Sequence, residues 1–258
     1  MRRLVLLTVV AVVSITAVAY AVTDTLTYTS KLAFKGTPTK AKPANLQYTG
    51  TLHIDTDPAG QQPETAPVTS VYFAKAIVNN SKYFPFCNRG EIDGQSTFPA
   101  KCSKAKVGTG TATALAGAPG NPSSQSVRED LNVTAVNGPS GKNLYLVLNS
   151  QPGAPVAIQN RIVPGTVVKS SGAFGFLVRF NIPEDLQSQL GLSISLTDFV
   201  VKISSTPKKV KVGRVFKKIA YLQLISCKGS LPVKAIAAFK DKDTGQAKPV
   251  TSTSSAKC

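Results

Sequence analysis

The sequence predicts an all-β protein, an antiparallel β-sandwich of about ten strands with one short helix near residues 183–190. Three observations carry this. Helix-favouring Glu is confined to Glu64, Glu91, Glu129 and Glu184 and Trp is absent, whereas Val, Thr, Ser and Ala are abundant; β-branched residues suit a pleated, half-buried surface. Segment after segment alternates apolar and polar residues with a period of two, as a strand with one face in a core requires. Stretches rich in Gly, Pro and Ser separate these segments, and those residue types favour turns.

Taken in order, LTYTSKLAF puts Leu26, Tyr28, Leu32 and Phe34 on one face, with Thr25, Thr27, Thr29 and Lys31 on the other. LQYTGTLHID does the same with Leu46, Tyr48, Leu52 and Ile54, leaving His53 on the polar side. VTSVYFAKAIV (68–78) reads as one longer apolar strand. AKVGTGTATAL keeps Val107, Thr109, Thr111 and Thr113 in phase. DLNVTAV and NLYLVLN follow, the second apolar on both faces, as in the middle of a sandwich. AFGFLVRFN places Phe174, Phe176, Val178 and Phe180 together. In SISLTDFVVKIS the apolar phase slips by one residue between Leu196 and Phe199, and a bulge near Thr197–Asp198 would restore it. KKIAYLQLISC and PVKAIAAFK complete the ten. The exception is NIPEDLQSQLG: Asn181 as N-cap, Glu184 three residues on, Leu186 and Leu190 one turn apart and Gly191 as a stop predict one or two helical turns. Glu184 and Asp185 then serve the helix N-terminus.

The N-terminus predicts export. Arg2 and Arg3 precede the apolar run Leu4–Ala19, and Ala19 and Ala21 supply the small residues of a signal-peptidase site, so residues 1–21 read as a signal peptide cleaved after Ala21. Residues 22–258 then form a single secreted domain, with a possible sub-division in the Pro/Gly/Ser-rich stretch 115–126. No second apolar run of about 20 residues follows, so no transmembrane span is expected after cleavage. Outside the cytosol, the four cysteines Cys87, Cys102, Cys227 and Cys258 are first read as disulfides. Three pairings are possible, and locality favours Cys87–Cys102 and Cys227–Cys258. Zinc is not expected, since neither close cysteine spacing nor a cysteine–histidine cluster is present.

Several of these segments together resemble a group of uncharacterised secreted proteins of actinobacteria. The likeness runs through CSKAKVGTGTATA (102–114), NVTAVNG, LYLVLN, FNIPEDLQ and the closing CKGSLPVKA with its C-terminal cysteine, over most of residues 70–258. Where such proteins carry Pro after the second cysteine and Trp before the later Pro-Val-Lys-Ala, this chain has Ser103 and Leu231. The resemblance implies an extracellular β protein and no particular activity.

The residues do not spell out a catalytic constellation, and a non-enzymatic role without a cofactor is expected. Nucleophilic hydrolysis needs a base beside Ser or Cys, and the only histidine, His53, falls on the polar face of its strand. GPSGK lacks the spacing of a phosphate loop, and no helix follows GTGTATA. Glu91 with Asp93, or Asp55 with Asp57, would be the carboxylate pair of the alternative function, a secreted glycan-directed hydrolase. DTDPAG and DKDTG open like calcium loops but lack the late bidentate Glu.

What remains is charge. The chain carries +17, or +15 once Arg2 and Arg3 leave with the signal peptide. PKKVKVGRVFKK (207–218) concentrates Lys208, Lys209, Lys211, Arg214, Lys217 and Lys218, and its interleaved Val210, Val212, Val215 and Phe216 predict a hairpin with an apolar inner side and a cationic outer one. The expected partners are polyanions outside the cell, anionic wall polymer or lipid headgroups. Nucleic acid is not expected, because few aromatic residues accompany the basic stretch.

Overall fold

The computed structural model describes residues 23–204 and 206–258. The expected signal peptide therefore lies outside the described residues. The chain is built from antiparallel strands: β1 (Thr23–Ala33), β2 (Ala44–Asn45), β3 (Gln47–Asp57), β4 (Val68–Ala74) and β5 (Ile77–Asn79) come first. Next are β6 (Lys106–Gly117), β7 (Val127–Asn137), β8 (Asn143–Ser150), β9 (Arg161–Lys169) and β10 (Phe174–Asn181). The remainder are β11 (Ser188–Gln189), β12 (Leu192–Ile203), β13 (Lys208–Val212), β14 (Val215–Ile219), β15 (Leu222–Leu224), β16 (Ser230–Lys240) and β17 (Ala247–Lys257).

One sheet dominates, in the order β1-β3-β12-β6-β7-β8-β9-β10-β4-β16-β17. Strands β6 to β10 form a meander, and residues 118–126 join the neighbours β6 and β7. The two ends of the sheet nearly meet. Ser252 Oγ accepts the Tyr28 N–H at 2.9 Å and Ser254 Oγ donates to the Tyr28 carbonyl at 2.8 Å, so side chains of β17 fasten β1. The sheet thus curls into an almost closed barrel whose inner face is the core. Two buried clusters fill it. The larger includes Tyr48, Leu131, Leu146, Val178 and Ile203; the smaller gathers Leu26, Leu52, Val233 and Phe239 beside the seam.

Alternation places most side chains as the pattern requires. Along β3, Tyr48, Leu52 and Ile54 are buried and His53 is exposed. The register of β12 against β6 shifts between Leu196 and Asp198, a bulge that returns Phe199, Val201 and Ile203 to the interior. The glycines of KVGTGTATA serve this pairing: a Cβ on Gly110 would sit 1.9 Å from the Val200 carbonyl oxygen.

Five local expectations need correction. The apolar run 68–78 breaks at Lys75–Ala76 into β4 and β5, and KKIAYLQLISC breaks at Ala220–Tyr221 into β14 and β15. Phe174 leaves the inner face because the register of β10 on β4 shifts between Phe174 and Phe176; its ring meets the outward Tyr72 instead, at 5.4 Å. The helical segment shrinks to a 3₁₀ turn, Glu184–Leu186, behind Pro183, while Asn181 belongs to β10. Residues 188–193 go into a tight hairpin, Ser188 opposite Ser193, so their backbone groups serve a ladder rather than a helix. Two long strands, β9 and β17, have no counterpart in the expected ten, nor do the two-residue strands β2 and β11. The Pro164–Gly165 step of β9 interrupts its apolar pattern, and β17 is mostly Ser, Thr and Lys.

Candidate functional site

The cysteines pair as locality predicts, Cys87 with Cys102 and Cys227 with Cys258. The first bridge staples the loop after β5 onto the outer face of β7, β8 and β9. Cys87, Ile92 and Cys102 join Val136, Tyr145, Val147 and Ile162 in a cluster outside the barrel. That explains a strand apolar on both faces: Leu144, Leu146 and Leu148 of β8 point inward, while Tyr145 and Val147 lie beneath the stapled loop. Glu91 lies within 4.8 Å of both sulfurs, but in a disulfide they have no lone thiolate to offer a metal. Disulfides of this kind persist in oxidising, extracytoplasmic environments.

The acidic candidates have structural partners. Glu91 accepts the Asn88 N–H at 2.8 Å as half of a capping box and meets Lys101 at 2.7 Å. The Lys101 hydrogen bond, then the Asn88 backbone, lower its pKa. A glycosidase acid needs the opposite shift. Asp93 is held between Arg89 (3.0 Å) and Arg161 (3.4 Å), and Asp185 pairs with Arg161 from the other side. The Asp55 carboxylate accepts the next residue's N–H. Asp241 Oδ1 accepts the N–H groups of Asp243 and Thr244 and the Thr244 hydroxyl, as a turn-forming Asp does, and the Thr244 backbone bond lowers its pKa. His53 lies opposite Asp198 in the register and donates from Nδ1 to its carboxylate at 2.8 Å, both on the solvent face.

Sequence reading missed a buried acidic pair. Residues 61–67, within the Pro-containing connection between β3 and β4, cross one end of the barrel: Gln62 Nε2 donates to the Ser193 carbonyl (3.0 Å) and Thr65 Oγ1 to that of Ile194 (2.9 Å). This strap carries Glu64, whose N–H donates to Asp24 Oδ1 at 3.1 Å. Burial pushes the Asp24 carboxyl up to about 6, against a backbone bond from Glu64 that lowers it. Both side chains are shielded from solvent, so neither faces a polymeric substrate. The pattern of residues 55–67 carries no signal for this, since it shows no regular alternation and its Pro58, Gly60, Pro63 and Pro67 read as turns.

The basic stretch forms the expected hairpin. Lys208 lies opposite Ile219, Lys209 opposite Lys218, Val210 opposite Lys217 and Lys211 opposite Phe216. Among the described residues, β13 and β14 pair only with each other. Lys209, Lys211, Arg214, Lys217 and Lys218 are exposed. Lys208 is half-buried beside the Phe84 ring, 5.1 Å from its centroid, and burial, then Lys104, lower its pKa. The expected apolar inner side is present at the base, where Ile219 and Val210 reach the core. Towards the tip, Val215 (55% exposed) and Phe216 (64% exposed) face solvent, with Lys209 Nζ 5.3 Å from the Phe216 ring.

Comparison with family models, curated proteins and solved structures finds no match to this chain. No helix among the described residues is long and apolar enough to cross a membrane.

Proposed function

We propose that this chain is an exported, non-catalytic binding module of the cell envelope that adheres to anionic surfaces through the β13–β14 hairpin. One observation carries the reading: a ribbon that pairs with no other strand among the described residues presents Lys209, Lys211, Arg214, Lys217 and Lys218 to solvent around an exposed Phe216. Export rests on the basic–apolar–Ala-x-Ala pattern of residues 1–21 and agrees with the two disulfides. Mature protein then begins at Val22. The resemblance to secreted actinobacterial β proteins points the same way. The alternative, a glycan-directed hydrolase, asks for two facing carboxylates open to a polymer, and Glu91 and Asp93 are committed to basic neighbours.

The test is retention of secreted protein on an anionic wall fraction. Interactions between exposed charges are screened over about 8 Å at physiological ionic strength, so retention collapses between low and moderate salt. Replacing Lys208, Lys209, Lys211 and Lys217 by Gln abolishes most of it, whereas the same change at the exposed Lys31, Lys169, Lys202 and Lys240 does not. Equal loss in both variants would assign adhesion to net charge alone.

A further inference from the structure

The geometry points to a second binding site, inside the barrel: a narrow cavity that takes a single hydrocarbon chain. Barrels of eight strands have interiors just wide enough for their side chains to fill, and wider ones enclose cavities. Here the main sheet runs through eleven strands from β1 to β17. Large residues such as Tyr48, Phe73, Leu146 and Phe180 line much of its inner face, but one strand leaves a gap among them. The β6 stretch TATALAG turns Ala112, Ala114 and Ala116 inward, and the strap adds Thr65 and Ala66. A cavity of about 180 Å³ results. Apolar voids of about 150 Å³ stay dry and take up small hydrocarbons.

Shape and chemistry narrow the occupant. The lining follows β12 from Ile194 to Ile203, a stretch on the order of 30 Å at 3.3 Å per residue. So small a volume over such a length suits an extended chain and excludes a bulky ring system. Among the described residues, no Lys or Arg lines it to balance a buried anion. The one lining carboxylate, Glu129, is occupied: Ser150 Oγ donates to Oε1 (2.5 Å) and the Val156 N–H to Oε2 (3.3 Å), which fixes the loop after β8 at the rim. The buried part of the ligand is therefore uncharged. The way in is at that same end, where Val127 and Val156 line the cavity and remain 41% and 38% exposed. Beside them Leu192 (41%) and the turn residue Leu190 (102%) extend the apolar rim into solvent. A chain enters there tail first and leaves its polar head in water.

Calorimetric titration of the mature protein with 1-decanol tests this. One-to-one saturable binding is expected. Ala112→Leu with Ala114→Leu fills the cavity and weakens binding at least tenfold while the melting temperature holds or rises; if that pair does not fold, Ala114→Val is the readout, with the same direction. Leu190→Ser with Leu192→Ser leaves the cavity intact and keeps affinity within about twofold. Absence of saturable binding by the wild type overturns the assignment. So does undiminished binding by a folded, filled variant, or loss confined to the rim variant, which marks surface adsorption.

Discussion

Tyr28 and Tyr48 meet hydroxyl to hydroxyl at 2.8 Å inside the barrel, joining the paired strands β1 and β3. Burial, first of all, pushes both phenols above their ordinary pKa, so the pair stays neutral and the bond is kept. Gly50 leaves the space for it, since a Cβ there would stand 2.5 Å from the Tyr28 hydroxyl.

Gly50→Ala should therefore destabilise by about 1–3 kcal/mol, the usual cost of overpacking a filled core. Tyr28→Phe alone should cost about 1 kcal/mol for the lost hydrogen bond. The double variant should be more stable than the sum of the two, because the phenylalanine removes the clashing atom. Chemical denaturation of the four proteins checks this; strict additivity would mean that the alanine is accommodated elsewhere.

The two disulfides should differ in value, and in the order opposite to loop length. On chain entropy alone the longer loop, Cys227–Cys258, is worth more than Cys87–Cys102, at separations of 31 and 15 residues. The shorter one, however, holds the cover over Tyr145, Val147 and Ile162. Replacing Cys87 and Cys102 by Ser should cost about 2–5 kcal/mol, expose that face to an apolar dye and lower the melting temperature more than the Cys227/Cys258 pair of replacements. Non-reducing peptide mapping of the native protein should recover these same two pairs.

Asp24 should make stability fall as pH rises. Its carboxyl titrates at about 6 in the fold against 3.8 when unperturbed, so between those values the folded state holds a proton that the unfolded chain has released. The contribution is intact below about pH 4 and is lost as pH approaches and passes 6. The full span is worth about 3 kcal/mol. Asn in place of Asp24 keeps an acceptor for the Glu64 N–H and should flatten the profile, with the largest gain above pH 6. A parallel pH dependence in wild type and Asp24→Asn would refute the assignment.

If the hairpin adheres to anionic surfaces as proposed, Phe216 should distinguish wall polymer from lipid headgroups. Phe216→Ser should leave the melting temperature unchanged, because the ring is 64% exposed. Retention on wall polymer, which needs only the cations, should persist. Cosedimentation with anionic lipid vesicles should drop severalfold if the ring enters the headgroup layer, as amphipathic membrane-binding elements do. Undiminished vesicle binding would confine the hairpin to charge.

The parts of this protein legible in its sequence are those governed by local geometry. Side chains alternate across a strand because the backbone repeats every two residues, so Tyr48, Leu52 and Ile54 pointed inward and His53 outward before any fold was known. A one-residue slip has only one local remedy, and the bulge after Leu196 stands where the slip is. Spacing along the chain favoured the cysteine pairs that form, Cys87–Cys102 and Cys227–Cys258. The cationic stretch was plain from composition.

Tertiary structure decided whatever depends on which segments meet. The seam joins Tyr28 to Ser252 and Ser254, more than two hundred residues away, and nothing in a run of Ser and Thr announces that partner. The two apolar faces of β8 marked it as covered on both sides, but only the fold shows that a disulfide-stapled loop provides the outer cover. Nothing local pairs Asp24 with Glu64, forty residues on; they meet only because the strap 61–67 crosses the barrel end. Ala112, Ala114 and Ala116 look like an ordinary small-residue strand until eleven strands set the width they fail to fill. Pattern is encoded within a few residues of each position; enclosure is a property of the whole closed sheet, and no short segment contains it.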